Sequence, residues 1–283
     1  MCGHAACSSC TVLFSSSKIL MKSFLKSTLA AAGLQVRRVP RRPHVAALPP
    51  PTARRDGKII EFLGPSACGK SYMMRNLQQS LPSGWLYYRP VASDQLILPR
   101  EPEEEIACFY RTLHMEKARR WARGEFPHKQ VRYQITAMRF SLSVIENNLA
   151  LDMRPDLSVI NDESLVSNYW AEVLLLAERQ PDLIRKMLKR RYVVMLHASK
   201  QRMLRNLEQR RTEVPDGAGS FVGYTEDEMI AYAEAYYAKM PAMYDMLQEF
   251  AAAVVRLDEN ECEKVEASCE KIVHTLTRQS VSA

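Results

Sequence analysis

Between Lys58 and Leu257 the chain alternates short apolar runs with longer amphipathic stretches. Lys58-Ile-Ile-Glu-Phe-Leu63, Trp85–Arg89, Leu157–Ile160, Tyr192–Leu196 and Ala252–Leu257 predict five strands, each bounded by turn-forming or polar residues. Helical spacing predicts helices from Tyr72 onward, over Glu103–Arg123 and over Gln130–Leu149. In the last of these, Met138, Leu142, Ile145 and Leu149 recur at intervals of four, three and four and predict its buried face. A further helix runs from His197 to Glu213 and ends in Arg210-Arg211, ahead of the loop-like stretch Val214–Phe221. Met229, Tyr232, Tyr236, Met240, Met243 and Leu247 form another helical stripe, which reads as core packing rather than as a base-stacking platform. Strands alternating with helices predict an α/β domain whose sheet is parallel, with helices on both faces.

The first strand runs directly into Gly64, Pro65, Ser66, Ala67, Cys68, Gly69, Lys70 and Ser71, and a helix follows. This is the spacing G-x-x-x-x-G-K-S in the strand–loop–helix setting that a phosphate loop requires. Glycine lets the backbone wrap closely around a phosphate, and the amides and helix N-terminus then point at the anion. Lys70 is expected to neutralise the β- and γ-phosphates. The Ser71 hydroxyl is expected to ligate Mg²⁺. Cys68 has two readings: a thiol activated by the helix N-terminus and Lys70, or a small side chain packed behind the loop.

Ligands on parallel sheets bind at the carboxyl ends of the strands. Asp162 and Glu163 follow the third strand and are therefore expected beside the loop, one holding Mg²⁺ and one taking a proton from an acceptor hydroxyl. The competing reading is helix capping by Asp162 or Ser164. Arg210 and Arg211, at the junction with a loop, suit the charge that spreads over a transferring phosphoryl group, whereas Arg202 and Arg205 are balanced between that role and a solvated helix face. Arg89, Asp94, Arg132, Tyr133, Gln134 and Arg139 are the candidates for contacts to the acceptor.

Charge changes the picture in one place. Residues 1–57 hold nine Lys or Arg against the single acid Asp56, while the rest of the chain holds 30 basic and 31 acidic residues. The folded body lacks the basic excess of a nucleic-acid-gripping domain, so nucleic acid is not expected as a partner. The arm, residues 1–57, includes a basic amphipathic stretch from Met21 to Leu34 and the run Leu48-Pro49-Pro50-Pro51. Three readings stand for it: a contact to an anionic membrane or protein partner, an organelle transit peptide, or a disordered tail; Met21 is also a plausible true start. The spacing Cys2-x4-Cys7-x2-Cys10, with His4, lacks the second ligand pair of a common structural metal site. The other four of the seven Cys are scattered, as in a reducing compartment, and no apolar run reaches the roughly 18 residues of a membrane helix. A cytoplasmic location is expected, with organelle targeting through the arm as the alternative.

Gly64–Ser71, Asn161-Asp162-Glu163-Ser164, the strand and helix Leu196–Glu213 and the elements after Thr225 resemble, in order, those of the P-loop nucleoside and nucleotide kinases, the thymidylate and deoxynucleoside branch above all. The chain departs from that branch at three points. It has no Arg in the motif after the third strand, Asn206 stands where the lid spacing places its first arginine, and Val91 stands where an acid follows the second strand. The resemblance covers roughly residues 58–277 and implies a P-loop NTPase-type fold with a five-stranded parallel sheet and a helical lid. It further implies ATP- and Mg²⁺-dependent phosphoryl transfer to a small-molecule acceptor: a nucleoside, a nucleotide or a sugar-like hydroxyl or phosphate. The alternative is a P-loop ATPase or GTPase switch driven by a protein partner, and the absence of a guanine-reading Asn-Lys-x-Asp weighs against its GTPase form.

Overall fold

The computed structural model describes residues 52, 56–88, 102–125, 131–161, 164–213 and 224–278. The chain divides at Leu48/Pro49 into two units, and the first lies outside the described residues together with every reading made of Met1–Leu48.

Five strands form one sheet: β1 (Ile59–Leu63), β2 (Trp85–Tyr88), β3 (Ser158–Asn161), β4 (Arg191–Leu196) and β5 (Ala253–Leu257). Their order is β2-β3-β1-β4-β5, and every neighbouring pair is parallel. Among the described residues ten helices connect and follow them: α1 (Lys70–Ser80), α2 (Glu104–Ala122), α3 (Val131–Asp152), α4 (Leu165–Arg179), α5 (Pro181–Leu188), α6 (Lys200–Glu213), α7 (Glu226–Tyr237), α8 (Met240–Phe250), α9 (Glu259–Glu263) and α10 (Val265–Arg278). The five-stranded parallel sheet with helices on both faces, and the loop between β1 and α1, are those the sequence predicts, and each strand falls within a residue or two of its expected place.

The sheet faces divide the core in two. Ile60 and Phe62 of β1 and Val194 of β4 pack with Met73, Met74 and Leu77 of α1 and Cys269, Ile272 and Leu276 of α10. Leu63, Val193 and Met195 pack on the opposite face against α2, α3, α4, α5 and α8. Strands apolar on both faces are what a covered parallel sheet requires.

The predicted stripe on α3 is corrected in part. Ile145 is buried, but Met138 and Leu142 are 44% and 43% exposed. The buried positions are Ser141, Val144, Ile145, Asn147, Asn148, Ala150 and Leu151, and three of the seven are polar. A search for apolar periodicity passes over a helix face that is buried through hydrogen bonds. The stripe Met229–Leu247 spans two helices, and Met229, Met240, Met243 and Leu247 are core residues as predicted.

Candidate active site

The phosphate loop sits between the end of β1 and the start of α1, at the carboxyl edge of the sheet. Gly69 caps α1 with φ 107° and ψ 11°, a left-handed conformation that glycine adopts without a Cβ penalty. Ala67 also stands at positive φ, 65°, and its carbonyl accepts a hydrogen bond from Asn206 Nδ2 of α6 at 2.8 Å. A Cβ at Gly64 would stand 2.7 Å from Cys68 Sγ and 3.0 Å from the Leu196 carbonyl oxygen, so only glycine lets the loop close against β4. Lys70 Nζ donates to the carbonyls of Gly64 at 2.7 Å and Pro65 at 2.9 Å, which holds its ammonium over the loop.

Two helices reach the loop from outside. α6 contributes Asn206. α7 contributes Tyr236, whose hydroxyl accepts the Gly64 amide at 3.2 Å and hydrogen-bonds to the Ser167 side chain, and Tyr232, which is hydrogen-bonded to the Ser66 backbone. Burial pushes the Tyr232 phenol up to about 12 and raises that of Tyr236 further, so both act as neutral hydroxyls. Their neighbour Tyr237 accepts the Ala198 amide at 3.1 Å and donates to the Ala198 carbonyl at 2.8 Å, fixing the exit of β4. Reading Tyr232 and Tyr236 as core alone misses these bonds; the polar tip of a tyrosine in a methionine-rich stripe is the signal in the sequence.

Cys68 is 1% exposed, with its thiol turned in behind the loop and 4.0 Å from Lys70 Nζ. The packing reading is the one the structure supports. Asp162 and Glu163 lie outside the described residues, but both residues that flank them are anchored. Asn161 Nδ2 donates to Asn148 Oδ1 at 3.0 Å, and Ser164 Oγ donates to Glu61 Oε2 at 2.7 Å while accepting the Ser167 amide to cap α4. Capping therefore falls to Ser164.

Glu61 belongs to a buried polar network on the α2–α4 face of the sheet. Arg191 of β4 pairs through Nη1 with Glu61 and with Asn148 Oδ1 (2.9 Å), and through Nη2 with Asp152 Oδ2 (2.8 Å) and the Tyr110 hydroxyl (3.1 Å). Burial alone would lower the Arg191 pKa, but the Asp152 and Glu61 carboxylates raise it above its ordinary value, and burial with Asp152 raises the Tyr110 phenol. The Glu61 carboxylate also takes the Val166 amide at 3.2 Å. This network, which no motif search seeks, fixes the end of β3 and the start of α4 on either side of Asp162-Glu163. Its trace in the sequence is a lone Glu within Ile59–Leu63 and an Arg ahead of Tyr192–Leu196.

Of the remaining expected residues, Arg89 and Asp94 lie outside the described residues, as do the side chains of Arg132, Tyr133, Arg210 and Arg211, although Arg210 and Arg211 fall in the last turn of α6. Gln134 is half-buried and Arg139 exposed on the first half of α3. Arg205 is exposed, and with half-buried Arg202 it lines a cleft of about 360 Å³ beside the loop, shared with Tyr72, Asn206, Glu263 and Val265.

Ser71 is exposed at the first turn of α1. A serine hydroxyl is a hard-oxygen donor of the kind that suits Mg²⁺. Among the described residues no cluster of three or more His, Cys, Asp or Glu forms a separate metal site, and no helix is long and apolar enough to cross a membrane.

The sheet and the loop define the class: an α/β protein with a phosphate-binding loop at the carboxyl edge of its parallel sheet. No protein-family model matches the chain, and no curated protein matches it in sequence. Among solved structures, shikimate kinase from Acinetobacter baumannii in complex with shikimate is similar, with a TM-score of 0.35 and 16% identity, over 79% of this chain and 95% of that one. Likeness at that level assigns neither an acceptor nor a role to any residue.

Proposed function

We propose that the protein is a small-molecule kinase that uses ATP and Mg²⁺. The acceptor oxygen attacks the γ-phosphorus, the bond from that phosphorus to the β–γ bridging oxygen breaks, ADP leaves, and the acceptor proton passes to a carboxylate of the Asp162–Glu163 pair. The observation that carries this reading is the phosphate loop itself: left-handed Gly69, Lys70 over the loop carbonyls and the start of α1, placed at the carboxyl end of β1 in a sheet of order β2-β3-β1-β4-β5. Asn161 and Ser164, which flank Asp162-Glu163, are both anchored, and that suits a carboxylate base working beside the loop.

When bound, Mg²⁺ would supply charge compensation on the β- and γ-phosphates, with Ser71 and Asp162 as its protein ligands. Lys70 orients the same phosphates by charge and hydrogen bonding. The resemblance implies the acceptor classes on an equal footing: a nucleoside, a nucleotide, or a sugar-like hydroxyl or phosphate. The test is an acceptor panel of these classes with purified protein and γ-labelled ATP. Label transferred to one class supports the proposal. Hydrolysis of ATP that responds to no small acceptor and only to a protein partner would replace it with the switch.

A further inference from the structure

Asn206, which stands at the lid-arginine position, is committed to the loop backbone through Ala67. One helical turn earlier on α6, Arg202 turns its guanidinium to the same loop. Its Nη2 lies 3.6 Å from where a Cβ on Gly69 would stand, and its Nη1 is buried without a hydrogen-bond partner. A buried guanidinium N–H left unsatisfied is costly, and a planar cation of this kind matches the oxygens of a phosphate. Arg202 also stands at the loop end of the cleft it shares with Tyr72, Arg205, Glu263 and Val265.

Resting on the nucleotide-loop reading, we infer that Arg202 pairs with the diphosphate portion of the nucleotide held by the loop, and that the cleft beyond it takes the nucleoside end. The first arginine of the lid spacing is thereby displaced by one turn, and Asn206 holds the loop through the Ala67 carbonyl. Gly69 is the glycine before Lys70, where loop amides turn toward the α- and β-phosphates, so a cation at this point meets the diphosphate before the base.

Titration calorimetry of the full chain with ADP and with adenosine, in the presence of Mg²⁺, tests this. Arg202→Met keeps the apolar stem and removes the charge, and Arg202→Lys restores charge without the fork. The expected result is a loss of about tenfold or more in ADP affinity for Arg202→Met, adenosine affinity unchanged, and partial recovery in Arg202→Lys. Equal losses for ADP and adenosine would overturn the phosphate role and make Arg202 a base or packing contact. Undiminished ADP affinity in Arg202→Met would overturn it outright while leaving the nucleotide reading intact. A wild-type protein that binds neither compound would remove the nucleotide reading, and this inference with it.

Discussion

Tyr236 holds its phenolic oxygen 3.2 Å from the amide of Gly64, the residue on which the phosphate loop begins. The same hydroxyl is bonded to the Ser167 side chain near the start of α4. One buried hydroxyl therefore ties α7, the loop and the helix that follows Asp162-Glu163. Replacing Tyr236 with Phe removes both hydrogen bonds and leaves the ring packing in place, a net loss of about 1 kcal/mol for each. ADP affinity should fall roughly fivefold, with a smaller change in the unfolding midpoint. Wild-type ADP affinity in Tyr236→Phe would show that the loop holds its shape without these bonds.

Lys70→Ala should reduce phosphoryl transfer from ATP by about a hundredfold or more while the protein remains folded, since the ammonium stabilises charge at the site. Its hydrogen bonds all fall within the loop, to the Gly64 and Pro65 carbonyls and, at 4.0 Å, to Cys68 Sγ, so the loss is local to the loop. Circular dichroism together with a label-transfer assay checks both halves. Full activity in a folded variant contradicts the nucleotide site.

Cys68 is buried behind the loop, Cys262 and Cys269 are also buried, and Cys108 is exposed on α2. Limited alkylation of the native protein, read by peptide mass spectrometry, should label Cys108 ahead of these three. Burial also raises the thiols of Cys262, to about 11, and of Cys269, which slows both further. Early labelling of Cys68, blocked by Mg-ATP, would restore the activated-thiol reading.

Much of this site was legible because phosphate binding imposes a pattern on neighbouring residues. Glycine is required at Gly64 and Gly69, lysine at Lys70, a strand before and a helix after, and the fold then follows from the alternation of apolar runs. The parts that were not legible arise from contacts distant in sequence. Glu61 and Arg191 are 130 residues apart, and each reads in isolation as a defect in an apolar strand. Asn206 reads as a missing arginine until its bond to Ala67 is seen. On α3, periodicity pointed to Met138 and Leu142, whereas the buried face is built on Ser141 and Asn148, whose polar groups are satisfied inside the fold.

Arg191 carries the largest expected cost in stability. Its guanidinium and the Glu61 carboxylate are fully buried, and Asp152 is 9% exposed. Arg191→Met leaves two buried carboxylates without their cation and should cost about 3–5 kcal/mol. Pairing it with Glu61→Gln should recover part of that loss, because one of the orphaned charges is removed. Urea unfolding of the two variants distinguishes this from simple loss of volume, which would make the double variant no better than the single one.

Lys117 gives the fold a pH dependence of definite sign. α4 leaves helical geometry at Tyr169 (φ −124°, ψ 25°), and the Lys117 ammonium donates to the carbonyl of Asn168 at that kink. It lies 4.1 Å from the centre of the Tyr169 ring and 5.3 Å from that of Trp121. Burial pushes its pKa down to about 8; the Glu172 carboxylate opposes that shift and the Arg120 cation adds to it. In the unfolded chain a lysine releases its proton near about 10.4. Below about pH 8 both states hold the proton, and the cost of burying the charge is fully present. Between about pH 8 and 10.4 the unfolded state binds more protons than the folded one, so the contribution of Lys117 to stability rises with pH through that window. Lys117→Met removes the titrating group and keeps an apolar stem against Tyr169 and Trp121. Urea midpoints of the wild type and this variant, measured from pH 7 to about 10.4, should therefore diverge, with the wild type gaining relative to Lys117→Met as the pH increases. Two curves that stay parallel across the window would show that the ammonium is solvated and that the kink at Tyr169 is held by packing alone.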